Sequence, residues 1–278
     1  MRNVLITGAT SGIGLATAKA MNQAGWHVIG TGLPGEDASA LAAIGENITV
    51  LEMDISNRQS VYAAQAELQA MLDGHLHAVV NNAGITAAGA ILELPVDELR
   101  RQFEVNVFGH VQVLQAMQTL LSNDARIVNV SSMMGGVSLP ALGAYSMSKH
   151  ALEALTDVLR IELANTNIQV VSVQMGAVAT PLTNTIAERM EELAASEGGY
   201  AWLYKAMVKV LHQQSNGATK PEKVAKAIVH AVTSSKPKTR YIVGGAARGL
   251  MFMRQFSPDV IGDGILRHSL GLYPKTGD

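Results

Sequence analysis

Short runs of Val, Ile and Leu alternate along the chain with longer segments in which apolar residues recur at helical spacing, as in residues 13–24. Near-continuous apolar strands that alternate with helices are typical of a parallel sheet covered on both faces. We therefore predict an α/β fold with a doubly wound parallel sheet of about seven strands and helices on both faces. The predicted strands are centred on residues 4–6, 28–30, 48–51, 78–80, 127–130, 170–173 and 241–243.

The chain reads as one domain over residues 1–278, because no repeat, low-complexity tract or linker interrupts it. Residues 181–220 follow the sixth predicted strand and carry only helical patterns. At the carboxyl edge of a sheet such an insertion predicts a substrate lid, and a helical pair that only packs on the core is the alternative. Residues 246–278 form a C-terminal extension. It could cover the substrate pocket, form an oligomer contact or lie on a membrane surface. We favour its packing against the body, because Gly262 and Gly264 weaken a long amphipathic helix.

The composition excludes several classes of protein. Charged residues make up 16% of the chain and the formal net charge is −2. This balance gives no electrostatic case for binding nucleic acid or an anionic membrane. Cysteine is absent, which excludes disulfides and thiolate metal sites, and the eight histidines show no metal-binding spacing. No apolar run approaches the ~18 residues of a membrane span, and no signal peptide precedes the first strand. We expect a cytoplasmic protein without a catalytic metal.

A glycine-rich turn follows the first predicted strand. Gly8, Gly12 and Gly14 permit a tight turn, a close approach of backbone to a pyrophosphate, and close packing of helix on strand. The helix that follows points its N-terminal amides and positive dipole end at that anion. The position between a strand and a helix favours a dinucleotide site over an ordinary turn.

Further motifs appear in order along the chain, and together with this turn they resemble the short-chain dehydrogenase/reductase family over roughly residues 3–245. The resemblance implies a Rossmann-type fold and hydride transfer with a nicotinamide cofactor. The pattern at Leu33 is similar to the branch of retinol, hydroxysteroid and 3-hydroxybutyrate dehydrogenases. The matching motifs are Asp54 after the third strand, Asn81-Asn82-Ala83-Gly84, Asn106, Ser131-Ser132, and Tyr145 with Lys149 in a Tyr-x-x-x-Lys pattern.

The chemistry of these residues is that of an alcohol dehydrogenase. Tyr145 and Lys149 lie one turn apart on a helix. A free phenol has a pKa of about 10, and an adjacent ammonium lowers the pKa by roughly 1–3 pH units. We predict such a lowered pKa and an acid/base role for Tyr145. Ser132 can bond the substrate oxygen, and the resemblance selects it over Ser131. The resemblance also implies that Lys149 holds the ribose and that Asn106 supports a water leading to Lys149.

Seventeen positions are assigned to the cofactor by the turn and the resemblance. The family's usual Pro-Gly after the sixth strand is replaced by Met175-Gly176, which frees the backbone there, but the neighbouring positions still match. The seventeen positions assigned to the cofactor are Gly8, Thr10, Ser11, Gly12, Ile13, Gly14, Leu33, Asp54, Ile55, Asn81, Ala83, Gly84, Tyr145, Lys149, Gly176, Val178 and Thr180.

The choice between NAD(H) and NADP(H) depends on the end of the second strand. Residues 30–34 contain neither an acidic residue for the ribose 2′-hydroxyl nor an Arg for a 2′-phosphate. Glu36 and Asp37 follow closely, and two negative charges repel a phosphate. Ser11 is uncharged. We favour NAD(H), and NADP(H) remains the alternative.

The substrate side is apolar and rich in methionine, which suits a bulky hydrophobic alcohol or ketone such as a steroid or retinoid. We expect a small-molecule substrate and a homodimer or homotetramer. The alternatives are an NADPH-preferring biosynthetic ketoreductase and a catalytically silent dinucleotide sensor. The predicted substrate residues are Ser132, Met133, Met134, Val137, Leu139, Leu142, Tyr145, Met175 and Leu182.

Overall fold

Seven parallel strands form one sheet in the computed structural model, which describes residues 1–72, 74–215 and 217–272. Each strand covers one of the apolar runs, so the predicted α/β fold class is confirmed. In chain order the strands are β1 (Asn3–Ile6), β2 (His27–Gly32), β3 (Ile48–Glu52), β4 (Leu76–Asn81), β5 (Leu121–Val130), β6 (Gln169–Met175) and β7 (Arg240–Val243).

The strand order is β3-β2-β1-β4-β5-β6-β7, and every neighbouring pair is parallel. The chain builds outward from β1 in one direction and then, from β4, in the other. Loops leaving β1 and β4 therefore diverge and open a crevice at the carboxyl ends of these strands. Ligands of doubly wound sheets bind at this switch point.

Helices connect the strands and cover both faces of the sheet. A π-helical turn, Glu104–Gly109, interrupts the long helical segment between β4 and β5, and a 3₁₀ turn, Met133–Gly135, follows β5. The α-helices are α1 (Gly12–Gln23), α2 (Ser39–Ala42), α3 (Arg58–Met71), α4 (Val96–Phe103), α5 (His110–Met117), α6 (Gly143–Glu162), α7 (Pro181–Ala195), α8 (Ala201–Ser215), α9 (Pro221–Thr233), α10 (Gly245–Phe256) and α11 (Asp259–Ser269).

The side chains of successive strand residues point to opposite faces of the sheet, and an apolar cluster covers each face. Successive positions along a strand are therefore apolar, which explains the unbroken apolar runs. In β1, Val4 and Ile6 pack in a cluster that includes Met21 of α1, whereas Leu5 packs on the other face in a cluster that includes Leu68 of α3. All three β1 side chains are fully buried. Burial of each contributes roughly 1.5–3 kcal/mol. The strands are thus fixed by burial on both sides, and their carboxyl ends have a defined position.

Residues 181–220 form α7, α8 and the turn that leads into α9. Tyr204 ties α8 to the loop after β4: its hydroxyl accepts a hydrogen bond from the Ala90 amide at 3.0 Å and donates one to Glu93 Oε2 at 2.9 Å. Tyr204 is part of a buried apolar cluster. Ala247 of α10 and Leu270, which follows α11, belong to the same cluster. Residues 273–278 of the predicted extension lie outside the described residues.

Within the described ranges, no helix combines the length and the apolar character needed to cross a bilayer. The same ranges contain no cluster of three or more His, Asp or Glu side chains arranged to hold a metal ion. The lid role of 181–220, the single-domain boundaries and the absence of a catalytic metal remain predictions.

Candidate active site

A cleft of about 340 Å³ opens at the carboxyl ends of β1 and β4, where the strand order reverses. It brings together most of the predicted site. From the cofactor set it is lined by Gly8, Thr10, Ser11, Gly12, Ile13, Leu33, Asp54, Ile55, Ala83, Gly84, Tyr145, Lys149 and Thr180, and from the substrate set by Tyr145, Met175 and Leu182.

The glycine turn forms one wall of this cleft, and its geometry requires glycine. Gly8 and Gly12 have φ values of 62° and 53°, in the left-handed region that favours glycine. A Cβ on Gly14 would lie 2.0 Å from the Gly8 carbonyl oxygen, so any side chain there would displace the turn. Ser11 precedes α1 without a side-chain capping bond, which leaves the first helix amides for an anion. This cradle fits a dinucleotide pyrophosphate.

Thr7 and Asn82 hold the turn in place, a role that the sequence motifs did not assign to either residue. The Asn82 side-chain amide donates to the carbonyl oxygens of Thr7 and Gly8, at 2.9 Å each. The Thr7 hydroxyl accepts from the amides of Asn82 and Ala83 at 3.0 Å. These bonds fix β4 against the turn. Side-chain alternation along the strand could have separated Asn82 from its neighbour.

Asn81, which the sequence analysis assigned to the cofactor, points the other way. It is fully buried, and its side-chain amide donates to Asn129 Oδ1 at 2.9 Å inside the sheet. Its side chain therefore joins β4 to β5 and does not reach the cleft lining. The correction follows from the same alternation that brings Asn82 to the turn.

An acidic side chain reaches the end of β2 although residues 30–34 carry none. Glu36 folds back over the strand end, where Oε1 accepts from the Thr10 hydroxyl at 2.7 Å and Oε2 from the Leu33 amide at 2.8 Å. Glu36 lines the cleft together with Asp54, whose Oδ1 accepts from the Ser56 amide and hydroxyl. The loop conformation thus supplies the carboxylate that the strand itself lacks.

Helix α6 presents Tyr145 and Lys149 to the opposite wall. Lys149 is 4% exposed and donates from Nζ to the Val130 carbonyl oxygen at 3.0 Å. The same Nζ lies 5.6 Å from the centre of the Tyr145 ring. The Ser132 hydroxyl accepts from the Met134 amide at 3.1 Å, and its interaction with the Tyr145 phenol acts to lower the pKa of that phenol. Phenol and ammonium therefore line one cleft, and Ser132 lies close to the phenol outside the cleft lining.

Asn106 lies in the π-helical turn, a distortion common at functional sites. Its side-chain oxygen accepts from the Ile85 amide at 2.9 Å, and its amide group donates to the Ile85 carbonyl oxygen at 3.0 Å and to Ser148 Oγ at 3.2 Å. The side chain thus joins the loop after β4 to α6, next to Lys149. Its expected support of a water at Lys149 remains a prediction.

Several predicted residues lie outside the cleft lining. Gly14 sits behind the Gly8 carbonyl, and Val178 is buried and paired with Thr219. Met133, Leu139 and Leu142 are buried in an apolar cluster that also contains residues of α8, such as Tyr204 and Met207. Ser131 lines the cleft in place of Ser132, and its buried hydroxyl finds no partner among the described residues. The predicted residues absent from the lining are Gly14, Asn81, Asn106, Gly176, Val178, Ser132, Met133, Met134, Val137, Leu139 and Leu142.

Comparison with known proteins identifies the family. The model described as short chain dehydrogenase matches residues 2–191. The chain belongs to the short-chain dehydrogenase family. It is an NAD(P)-dependent oxidoreductase, as the motifs predicted.

Relatives of this short-chain dehydrogenase span nearly its whole length. An uncharacterized oxidoreductase, YbbO, of Escherichia coli is 31% identical, covering 96% of this chain and 94% of its own. An NADPH-dependent 3-dehydrocapnine reductase of Ornithobacterium rhinotracheale is 32% identical over 91% and 90% of the two chains. Mouse estradiol 17-beta-dehydrogenase 2 is 31% identical over 98% of this chain and 75% of its own.

Solved structures agree with the fold. A short-chain dehydrogenase from Streptomyces avermitilis superposes with a TM-score of 0.77 at 30% identity, over 98% of this chain and 97% of the other. A family member from Burkholderia phymatum, in complex with NAD, superposes with a TM-score of 0.76 at 27% identity, over 91% and 92% of the chains.

The expected lowering of the Tyr145 pKa is wrong for the protein without cofactor. Burial raises the pKa of the Tyr145 phenol to about 12, and the hydrogen bond with Ser132 opposes the rise only in part. Burial also lowers the pKa of Lys149 to about 8, although the nearby Glu153 acts to raise it. The ammonium lies over the ring and donates to a carbonyl, so desolvation of the phenol outweighs its field.

We predict that Tyr145 stays protonated through alkaline pH in the free enzyme. The phenolate absorbance of the wild type minus that of Tyr145→Phe should stay flat up to about pH 11, because burial disfavours the anion. As the control, the same difference between wild type and Tyr145→Phe is measured in urea, where both proteins are unfolded. It should show a step at the ordinary tyrosine pKa of about 10. A folded-state step with a midpoint below about 9 would contradict this assignment.

Proposed function

We propose that this enzyme interconverts a hydrophobic secondary alcohol and its ketone, or the corresponding aldehyde, with NAD(H) as the favoured cofactor. The observation that carries the proposal is the meeting of Tyr145 and Lys149 with the glycine turn around one cleft. The turn offers a pyrophosphate cradle, and the α6 pair offers a proton donor and a cation within reach of it.

Each residue has a distinct task in this proposal. When bound, the nicotinamide ring supplies or accepts the hydride. In reduction, Tyr145 Oη donates its proton to the substrate oxygen, and in oxidation it takes the hydroxyl proton while the carbon–hydrogen bond breaks. The Ser132 hydroxyl, which acts on the phenol to lower its pKa, holds the substrate oxygen. The Lys149 ammonium stabilises the phenolate and binds the ribose. A phenol held protonated by burial is ready for carbonyl reduction.

The substrate is proposed to be bulky and apolar, in the class of hydroxysteroids and retinoids. Met175, Leu182 and Pro181 line the cleft, and helices α7 and α8 contribute Met190, Leu203 and Met207 to an apolar cluster. Methionine adapts to irregular hydrophobic shapes. The mouse relative is named for estradiol, which belongs to this class.

The cytoplasmic location expected from the sequence stays a prediction, which cell fractionation tests.

We predict that Tyr145→Phe abolishes turnover while NADH binding is retained. General acid–base groups contribute about 10²- to 10⁴-fold in rate, and the missing hydroxyl is not part of the glycine cradle. Turnover is measured on a panel of secondary alcohols and ketones that runs from small polar hydroxy acids to steroids. The exposed Tyr62, changed to Phe, is the matched control and should retain full activity.

Three results would count against the proposal. Turnover retained in Tyr145→Phe refutes the acid/base role. Activity confined to small polar hydroxy acids refutes the apolar substrate class. NADH binding by the wild type without turnover on any member of the panel favours the silent dinucleotide sensor.

Glu36 supports NAD(H) as the cofactor. Its carboxylate is fixed by Thr10 and Leu33 at the strand end, where a ribose hydroxyl is bound in this fold. A carboxylate accepts a bond from a 2′-hydroxyl and repels a 2′-phosphate. The second candidate is an NADPH-preferring ketoreductase, and the Ornithobacterium relative, named as NADPH-dependent, favours it.

We predict that Glu36→Gln weakens the preference for NAD⁺. The ratio of the NADP⁺ and NAD⁺ dissociation constants should fall by about tenfold or more, equivalent to ~1.4 kcal/mol, as the repulsion of the phosphate is lost. Calorimetric titration measures both constants. Asp37→Asn is the matched control, because Asp37 bonds the Ser39 amide and does not line the cleft. Tighter wild-type binding of NADP⁺ than of NAD⁺ would contradict the assignment.

The homodimer or homotetramer expected from the sequence is proposed to form through α6. An apolar stripe at heptad spacing, Met147, Ala151, Ala154, Val158 and Ile161, runs along one face of this helix. Met147, Val158 and Ile161 are 46%, 49% and 73% exposed. A repeated apolar face of this kind is typical of a surface that a second copy covers.

We predict that Ile161→Asp reduces the molar mass in solution to that of a monomer, because it places a charge in the proposed apolar interface. Light scattering after size-exclusion chromatography measures the mass. Val260→Asp on α11, where the side chain is 85% exposed, controls for the loss of an exposed apolar side chain. A monomeric wild type, or an unchanged oligomer in Ile161→Asp, would contradict the interface.

A further inference from the structure

A third side chain continues the row of Tyr145 and Lys149 along α6. Glu153 lies one helical turn beyond Lys149, so the three residues share one face of the helix. Glu153 is only 7% exposed. Neither the family motifs nor the acid/base chemistry described above uses it, and a buried carboxylate needs partners to persist.

Glu153 has partners on both strands at the far edge of the sheet. Its Oε1 accepts from the Ser172 hydroxyl of β6 at 2.6 Å, and its Oε2 accepts from Arg240 Nε of β7 at 3.1 Å. Arg240 also pairs with Asp157, one turn further along α6. The carboxylate is therefore fixed in position, and the helix that carries the active-site pair is fastened to the sheet at this point.

The charges around Lys149 come from three elements. His110 of α5 is fully buried, and burial followed by the charge of Lys149 lowers its pKa to about 3, so its imidazole is neutral. Arg240 of β7 lies behind Glu153. On α6 itself, Tyr145 is protonated and Asp157 is paired with Arg160 and Arg240. Among these groups Glu153 is the anion that acts on Lys149 to raise its pKa, against the effect of burial.

We propose that Glu153 is a positioning residue of the active site: its fixed, buried carboxylate keeps the Lys149 ammonium charged beneath Tyr145. The inference rests on the proposed function of Lys149 and extends it by one residue. Without the carboxylate, burial alone acts on the ammonium, and the amine loses its proton at lower pH. The cation needed to stabilise the Tyr145 phenolate would then be lost within the working range of the enzyme.

The test is a direct titration of Lys149 in the protein free of cofactor and substrate. Lysine side chains are labelled with ¹⁵N, the Lys149 resonance is assigned by its loss in Lys149→Arg, and its pH midpoint is followed by NMR. In Glu153→Gln the midpoint should fall by about one pH unit or more, because side chains one helical turn apart are neighbours and a nearby opposite charge changes a pKa by roughly 1–3 pH units. Glu153→Asp keeps the charge and should restore most of the midpoint.

Asp157→Asn is the matched control, because it also replaces a carboxylate bound to Arg240 but lies a further turn from Lys149. Its Lys149 midpoint should equal that of the wild type. An unchanged midpoint in Glu153→Gln, or an equal fall in Asp157→Asn, overturns the proposal. So does a Glu153→Asp midpoint as low as that of Glu153→Gln, because that result assigns the effect to packing.

Two further readouts separate possible failures. If Glu153→Gln does not fold, ¹³C-labelled glutamate in the wild type replaces it: the Glu153 carboxyl signal should shift at the Lys149 midpoint and lose that shift in Lys149→Met. An absent shift overturns the proposal.

The second readout is the pH profile of carbonyl reduction. The pH at which activity falls on the alkaline side should be lower in Glu153→Gln than in the wild type. If the wild type shows no turnover, the proposed function is wrong. The NMR titration does not depend on turnover and still tests the role of Glu153.

Discussion

The hydrogen bond from the buried Lys149 ammonium to the Val130 carbonyl oxygen, at the carboxyl end of β5, is the interaction on which the rest of the site depends. A buried cation is costly unless partners compensate it. Its neighbours on α6 are a phenol one turn before it and the Glu153 carboxylate one turn after it. The parallel sheet places this helix opposite the glycine turn of β1, so phosphate cradle and proton donor share one cleft.

Much of this arrangement could be predicted from the sequence because it depends on local pattern. Seven apolar runs gave seven strands, since a strand buried on both faces has no polar alternation. Gly8, Gly12 and Gly14 follow from backbone conformation and close contact, which only glycine tolerates. The spacing of Tyr145 and Lys149 likewise fixes their shared helix face.

What the sequence could not give depends on side-chain direction and on solvation. Strand alternation places the side chains of Asn81 and Asn82 on opposite sides, but it does not say which side faces the glycine turn. The structure shows that Asn81 joins two strands inside the sheet and that Asn82 holds the turn. Glu36 reaches the strand end only because its loop folds back. The pKa of Tyr145 rises where charge alone predicted a fall, because desolvation of a phenol does not appear in residue spacing.

The most direct test of the account is hydride transfer itself. The enzyme is incubated with NADH carrying deuterium at the transferable position of the nicotinamide and with an apolar ketone, and the alcohol formed is analysed by mass spectrometry. The account predicts one deuterium on the carbinol carbon of the product. An alcohol formed without deuterium, or no alcohol although the cofactor binds, would contradict it.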